Sequence, residues 1–212
     1  MGKVFVRYIC AYCILVTAKE TINYMINAVW SRSAVLYEMN LRQATPEGTL
    51  AAAAERLGFL RDLGIDAVWL MPHYPIGEVG RKGSLGSYYS IRDYRAVNPE
   101  FGTMADFDVF VRRAHALGMK VLIDWVANHT SRDARWLAEC PADWYERDAS
   151  GRPAVPNGWD DTAKLDYTNR AVWQGQIDAM RFWLAGWTVS AAIWRCWFPS
   201  NFGRRRHGGC GR

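Results

Sequence analysis

The chain predicts an α/β fold built on a parallel sheet, and three observations carry that expectation. Three short apolar runs read as strands, helical patterns separate them, and the second and third runs are each followed by a long segment. A βαβαβ order implies parallel strands joined by right-handed crossovers. Strands covered on both faces read as near-continuous apolar stretches rather than as alternating ones.

Residues 1–33 read as an N-terminal extension. Lys3 and Arg7 precede an apolar run from Tyr8 to Ala18 with small residues near its end, a faintly signal-like pattern. The run is too short to span a bilayer. It fits a buried extension equally well, so cytoplasmic and exported placements both stay open. The first strand is expected over Ala34 to Asn40, centred on Val35, Leu36 and Tyr37. Leu50, Ala54, Leu57 and Leu60 recur at helical spacing, with Gly64 as a stop. Asp66 to Pro72 supplies the second strand. Thr103 and Asp106 resemble a capping box that starts a helix over Met104 to Leu117, with Gly118 as its left-handed cap. Lys120 to Val126 is the third strand.

The segments from His73 to Phe101 and from Ser131 to Asn169 are long for a compact domain, and loops of that length are usually functional. Ala171 to Leu184 reads as a helix. From residue 185 to 212 no helix, strand or cap signal organises the chain, which predicts a disordered tail.

At 212 residues and 50% hydrophobic the chain can bury one sizeable core. Its formal charge of +5 is matched by Arg195, Arg204, Arg205, Arg206 and Arg212, with no acidic residue after Asp178. The excess therefore reads as a solvated or non-native tail, not as a nucleic-acid-binding surface. Cys10, Cys13, Cys140, Cys196 and Cys210 form no disulfide framework, and the C-x-x-C pair lies inside an apolar stretch that opens no βαβ unit.

The most informative run is Gly118-Met-Lys-Val-Leu-Ile-Asp-Trp-Val-Ala-Asn-His129, an apolar strand ending in a carboxylate, an amide and an imidazole. Together with Gly86-Ser-Tyr-Tyr-Ser-Ile-Arg-Asp-Tyr94 and Phe101-Gly-Thr103, it resembles the first conserved region of the α-amylase superfamily of glycoside hydrolases and transglycosidases. The resemblance covers about residues 34–184 and implies a partial (β/α)8 TIM barrel, roughly the first three βα units. A whole barrel typically takes about 250 residues. The activity it implies is retaining cleavage or transfer at α-glucosidic bonds. A trehalose-synthase-like glucoside isomerase and a non-catalytic carbohydrate-binding fragment are the alternatives. The implied partner is an α-glucan or α-glucoside; no nucleic acid and no membrane span are expected.

On that resemblance Asp124 and His129 match residues that hold the glucosyl unit, and Tyr89 matches the aromatic platform beneath it. Each alone has a structural alternative, Asp124 as a helix cap and His129 as a core histidine. Their joint placement after a buried strand favours the site reading. Met71-Pro-His-Tyr-Pro-Ile-Gly-Glu78 resembles the loop after strand two, which makes His73 and Tyr74 candidate substrate contacts. Tyr88 and Tyr94 read as packing residues, and Arg92 and Asp93 as supports for the tyrosine platform. Asn128 matches a position that binds calcium in several members, but one amide does not make a hard-cation site. Leu165-Asp-Tyr167 resembles a conserved stretch of the third loop, with Lys164 and Asp166 departing from it. No metal ligand set follows beyond Asn128, so calcium stays possible on the resemblance alone, and no other cofactor is expected.

A retaining glycosidase uses a carboxylate nucleophile and a carboxyl acid/base, and the motifs that would deliver them are not found in the 212 residues. The tail suggests why. With serine as TCN and arginine as CGN codons, reading from the third base of the Gly186 codon permits residues 187–203 to become VDGFRCDLAMLVPIEFW. That string contains the Gly-Phe-Arg-x-Asp pattern expected of the nucleophile strand, which predicts a shifted reading frame.

Overall fold

The computed structural model describes residue 30, residues 33–186 and, as backbone, residues 190–193. The apolar runs become strands β1 (Leu36–Met39), β2 (Ala67–Leu70) and β3 (Lys120–Trp125). The helical pattern after β1 resolves into three short pieces, α1 (Leu41–Ala44), α2 (Leu50–Glu55) and α3 (Leu57–Asp62). Thr49 caps α2 through its hydroxyl, which accepts from Ala52 N, and the chain pivots at Arg56 between α2 and α3. The longer helix α4 (Met104–Ala116) starts with the expected capping box. Asp106 N donates to Thr103 Oγ1 at 3.3 Å, and Thr103 N donates to Asp106 Oδ2 at 2.7 Å. Gly118 takes φ +73°, open to glycine without a Cβ penalty, and turns the chain into β3.

After β3 come β4 (His129–Ser131), α5 (Arg135–Glu139), β5 (Thr162–Lys164) and α6 (Arg170–Gly186). β4 and β5 pair antiparallel in a small ladder of their own, over a satellite core of Tyr145, Ala163, Leu165 and Val172. The long third loop is thus a folded excursion. Beyond α6 lies β6 (Ser190–Ile193), parallel to β3 with Asp124 opposite Ala192. This corrects the expectation of a disordered tail for those four residues. A strand this short carries little periodic signal and is specified by the open edge of β3 it pairs with. The signal-like run from Tyr8 to Ala18 and the tail beyond Ile193 lie outside the described residues.

The sheet order is β1-β2-β3-β6, with every pair parallel. Each new strand is added on the same side, as in a barrel wall; a doubly wound sheet reverses its order. Successive residues point to opposite faces. Val68, Leu70, Val121 and Ile123 pack with Leu50, Leu57, Phe107 and Phe110 in the main core. Ala67 and Leu122, with Leu36, Trp69 and Trp30, form a separate cluster on the other face. Asp124 shares the parity of Leu122, so the strand that buries Ile123 under the helices turns the carboxylate to the inner face. Phe107, Phe110, Val111 and Ala114, one stripe of α4, are all buried, each large side chain contributing on the order of 1.5–3 kcal/mol.

Candidate active site

Asp124 sits near the C-terminal end of β3, where parallel α/β folds collect their functional groups. The chain then turns from β3 into β4, and tyrosine hydroxyls set the shape of that turn. Tyr74 Oη donates to Asp124 O at 3.3 Å, and Tyr94 Oη lies 2.5 Å from Val126 O and 3.0 Å from His129 O. Tyr167 Oη donates to Ala127 O at 2.5 Å. Carbonyls that a turn would leave orphaned are thereby satisfied, and the backbone carrying Asp124 and His129 is held in place. Behind it, Trp125 Nε1 donates to Gln176 Oε1 at 2.8 Å, tying the strand end to α6.

The long loop after β2 brings Tyr89 across the strand end, where its hydroxyl donates to Asp124 Oδ2 at 3.2 Å. Asp124 is 4% exposed and His129 6%, while Tyr89 is 40% exposed and offers its ring to solvent. Burial drives the Asp124 carboxyl up to about 7, with Glu38 adding to the rise and the Tyr89 hydroxyl opposing it. Burial likewise pushes the His129 imidazole down to about 4, against the Tyr89 backbone, which favours its charged form. Asn128 Nδ2 lies 3.3 Å from His129 Nδ1. An amide nitrogen only donates, so Nδ1 accepts and the ring proton sits on Nε2.

These groups line one cavity of about 470 Å³, within the range of small-molecule sites. The structure therefore brings together Tyr89, Asp124 and His129. It also adds residues that sequence reasoning missed: Lys82 and Ser87 from the loop after β2, and Trp159, Asp161 and Thr162 from the excursion after β3. Trp159 meets the His129 ring edge-on, centroids 5.2 Å apart. No motif marked them, because they reach the cavity only through the packing of one long loop against the other. Ser90 Oγ donates to Asp161 O at 2.9 Å, and Lys82 pairs with Asp160.

Four assignments need correction. His73 and Tyr74 are fully buried and do not line the cavity. His73 stacks on Phe107, with centroids 5.0 Å apart, and meets Trp183 edge-on at 4.9 Å, and burial pushes its imidazole down to about 3. Tyr74 faces the same core and reaches the site only through the Asp124 carbonyl. Both point inward because α4 and α6 close over the loop from outside the sheet. Arg92 and Asp93 do not brace Tyr89. They line a separate, larger groove of about 600 Å³, where Arg92 pairs with Glu78 at 2.8 Å and Asp93 with Arg135 at 3.4 Å. That groove holds none of the groups delivered by β3, and its size does not make it the centre of the chemistry. Tyr88 is a packing residue, as expected: its hydroxyl donates to Asn40 Oδ1 at 2.7 Å, and Arg42 lies over its ring.

Calcium does not fit the residues present. The ion takes about 6–8 oxygen ligands, whereas Asn128, with its amide nitrogen toward His129, offers one side-chain oxygen, and β5 sets the cationic Lys164 opposite His129. Among the described residues there is no cluster of three or more His, Cys, Asp or Glu able to hold a metal. Nor is any helix among them long and apolar enough to cross a membrane.

Known proteins resemble this chain over most of its length. The chain is 32% identical over 199 residues to the trehalose synthase/amylase TreS of Mycobacterium tuberculosis, a match covering 73% of this chain and 31% of that protein. It is 29% identical to the α-amylase MalA of Haloarcula japonica, covering 78% and 27%. Among solved structures, an α-amylase from Lactobacillus plantarum superposes with a TM-score of 0.69 at 45% identity, over 72% of this chain and 36% of that one. The maltogenic α-amylase AmyB of Thermotoga neapolitana superposes with a TM-score of 0.71 at 36% identity, over 79% and 40%. The chain spans about a third of the length of the curated relatives it matches. Its four parallel strands are part of a TIM barrel. Residues 28–190 match the model of the α-amylase catalytic domain, and the chain belongs to that family.

Proposed function

We propose that these residues form the sugar-holding part of an α-amylase-type glycoside hydrolase acting on α-glucosidic bonds. The observation that carries the reading is the convergence of Tyr89, Asp124 and His129 on one cavity at the end of β3. A glucosyl ring has an apolar C–H face, which the exposed Tyr89 ring can cover. Its hydroxyls need acceptors and donors within the same small space. Tyr89 occupies Asp124 Oδ2, so the carboxylate presents its remaining oxygen to the sugar, while His129, uncharged at neutral pH, carries its proton on Nε2. In the complete enzyme a nucleophile and an acid/base would act beside this cradle by the retaining route. The matched trehalose synthases support a second reading, transfer of glucose within a disaccharide in place of transfer to water.

Titration of the 212-residue chain with maltotriose, followed by tryptophan fluorescence, tests the first step. Binding that is lost in Asp124→Asn is expected; no binding by the parent chain removes the reading. Incubation with a p-nitrophenyl α-glucoside should release no p-nitrophenol, since neither Tyr89, Asp124 nor His129 is assigned the bond-breaking step. Turnover that survives repurification and is absent from Asp124→Ala overturns that assignment. In a protein carrying the whole barrel, product analysis on maltose separates the two readings, glucose indicating hydrolysis and trehalose indicating isomerisation.

A further inference from the structure

Asp161 lies on the wall of the same cavity and is 4% exposed, yet its Oδ2 is buried without a hydrogen-bond partner. A buried polar atom left unpaired costs on the order of 1–3 kcal/mol, more when it is charged, and native structures keep few of them. Its position is fixed by backbone, not by its own carboxylate. Ser90 Oγ holds the Asp161 carbonyl at 2.9 Å. Thr162 N and Thr162 Oγ1 both donate to Trp159 O, at 2.9 and 2.7 Å. Gly80, at φ +72°, comes so close that a Cβ there would lie 3.2 Å from Asp161 Cα. The local structure therefore keeps the carboxylate at the cavity wall without using it. The nearby cation does not use it either, because Lys82 is paired with Asp160.

We infer that Asp161 is a second hydroxyl-accepting carboxylate of this cavity, contacting a glucosyl unit from the excursion after β3 while Asp124 contacts it from the sheet. This rests on the sugar-binding reading above and extends it. An α-linked glucan carries O–H donors along its length, and a carboxylate oxygen accepts one in a charge-assisted bond. The cavity then recognises its ligand through two independent pieces of chain, β3 and the folded excursion.

The test compares parent, Asp124→Asn, Asp161→Asn and Asp161→Leu forms of the full chain, titrated with maltotriose and with a panel of monodeoxy maltosides. Asp161→Leu should weaken maltotriose about tenfold or more; Asp161→Asn, which keeps an acceptor, should weaken it less. One monodeoxy sugar should bind the parent and Asp161→Leu alike, since the hydroxyl that Asp161 accepts is already gone. Circular dichroism and thermal melts report whether each variant is folded. If Asp161→Leu binds maltotriose like the parent while Asp124→Asn does not, the inference on Asp161 is wrong and the sugar-binding reading stands. An equal loss across every monodeoxy sugar makes Asp161 a structural residue and also overturns the inference. Failure of the parent chain to bind removes both readings together.

Discussion

Asp124 is kept from water while one of its oxygens is held by a tyrosine, and its carboxyl titrates near pH 7. The charged form is the better acceptor for sugar hydroxyls, so maltotriose affinity should rise as pH increases through about 7. A flat profile between pH 6 and 8 counts against an acceptor role. Stability should move the other way. Between the ordinary carboxylate value and about 7 the folded state holds a proton that the unfolded chain has lost, so Asp124 makes the fold less stable as pH rises across that window. His73 makes a second case. Both its nitrogens are buried without partners, and its ring packs on Phe107, Tyr74 and Trp183 as a phenyl ring would. His73→Phe should therefore stabilise the chain, by up to about 1–3 kcal/mol. The gain should widen as pH falls from the ordinary histidine value toward about 3, where the unfolded imidazole takes up a proton that the buried one refuses. Thermal melts at pH 7 and pH 4.5 measure both effects, and a variant less stable than the parent at both pH values refutes the reading.

Between elements, the site depends on two long loops lying against each other and against the strand ends. Gly77 makes one such contact: a Cβ there would fall 2.3 Å from Ser131 Cβ and 2.6 Å from Asp133 Oδ1. Ser131 belongs to β4 and is fully buried, so it has little room to yield. Gly77→Ala should cost about 1–3 kcal/mol by overpacking and, by displacing the loop that carries Tyr89, should weaken sugar binding. Gly58, inside α3, has nothing within 4 Å of a Cβ, so Gly58→Ala should stabilise by about 0.5–1 kcal/mol and leave binding unchanged. Equal melting temperatures for the two variants would mean that the loop is not packed as described. This contrast marks what the sequence made legible. Asp124 and His129 could be found because a buried strand announces itself by composition and ends in three polar residues. The Thr103 and Asp106 capping box is local and was equally plain. His73 was misplaced because its burial depends on Phe107 and Trp183, brought over it by two later helices. Asp161 was missed because its place is set by Ser90 and Gly80, which no local pattern joins to it.

Over the whole molecule, the sheet grows in one direction, and its fourth strand is the place where sequence and fold disagree most. Ser190–Ile193 pairs with β3 although no strand signal marks those residues in the sequence. In the shifted reading the four β6 positions become Phe-Arg-Cys-Asp, and the aspartate falls at position 193, whose Cα pairs with Trp125, one residue beyond Asp124. A carboxylate there would stand at the C-terminal end of a barrel strand, the end at which barrel enzymes place their catalytic residues. The same shift removes the run of arginines that accounts for the net charge. Sequencing across the codons for residues 185–203 should therefore find bases compatible with Gly-Phe-Arg-Cys-Asp in the alternative frame. Restoring that frame with the downstream coding sequence should produce activity on α-glucosides, lost when the restored aspartate is changed to asparagine. Bases that cannot encode the motif would remove the frame shift and leave β6 as a strand of this chain's own sequence. A restored protein active only on β-linked substrates would instead remove the proposed reaction.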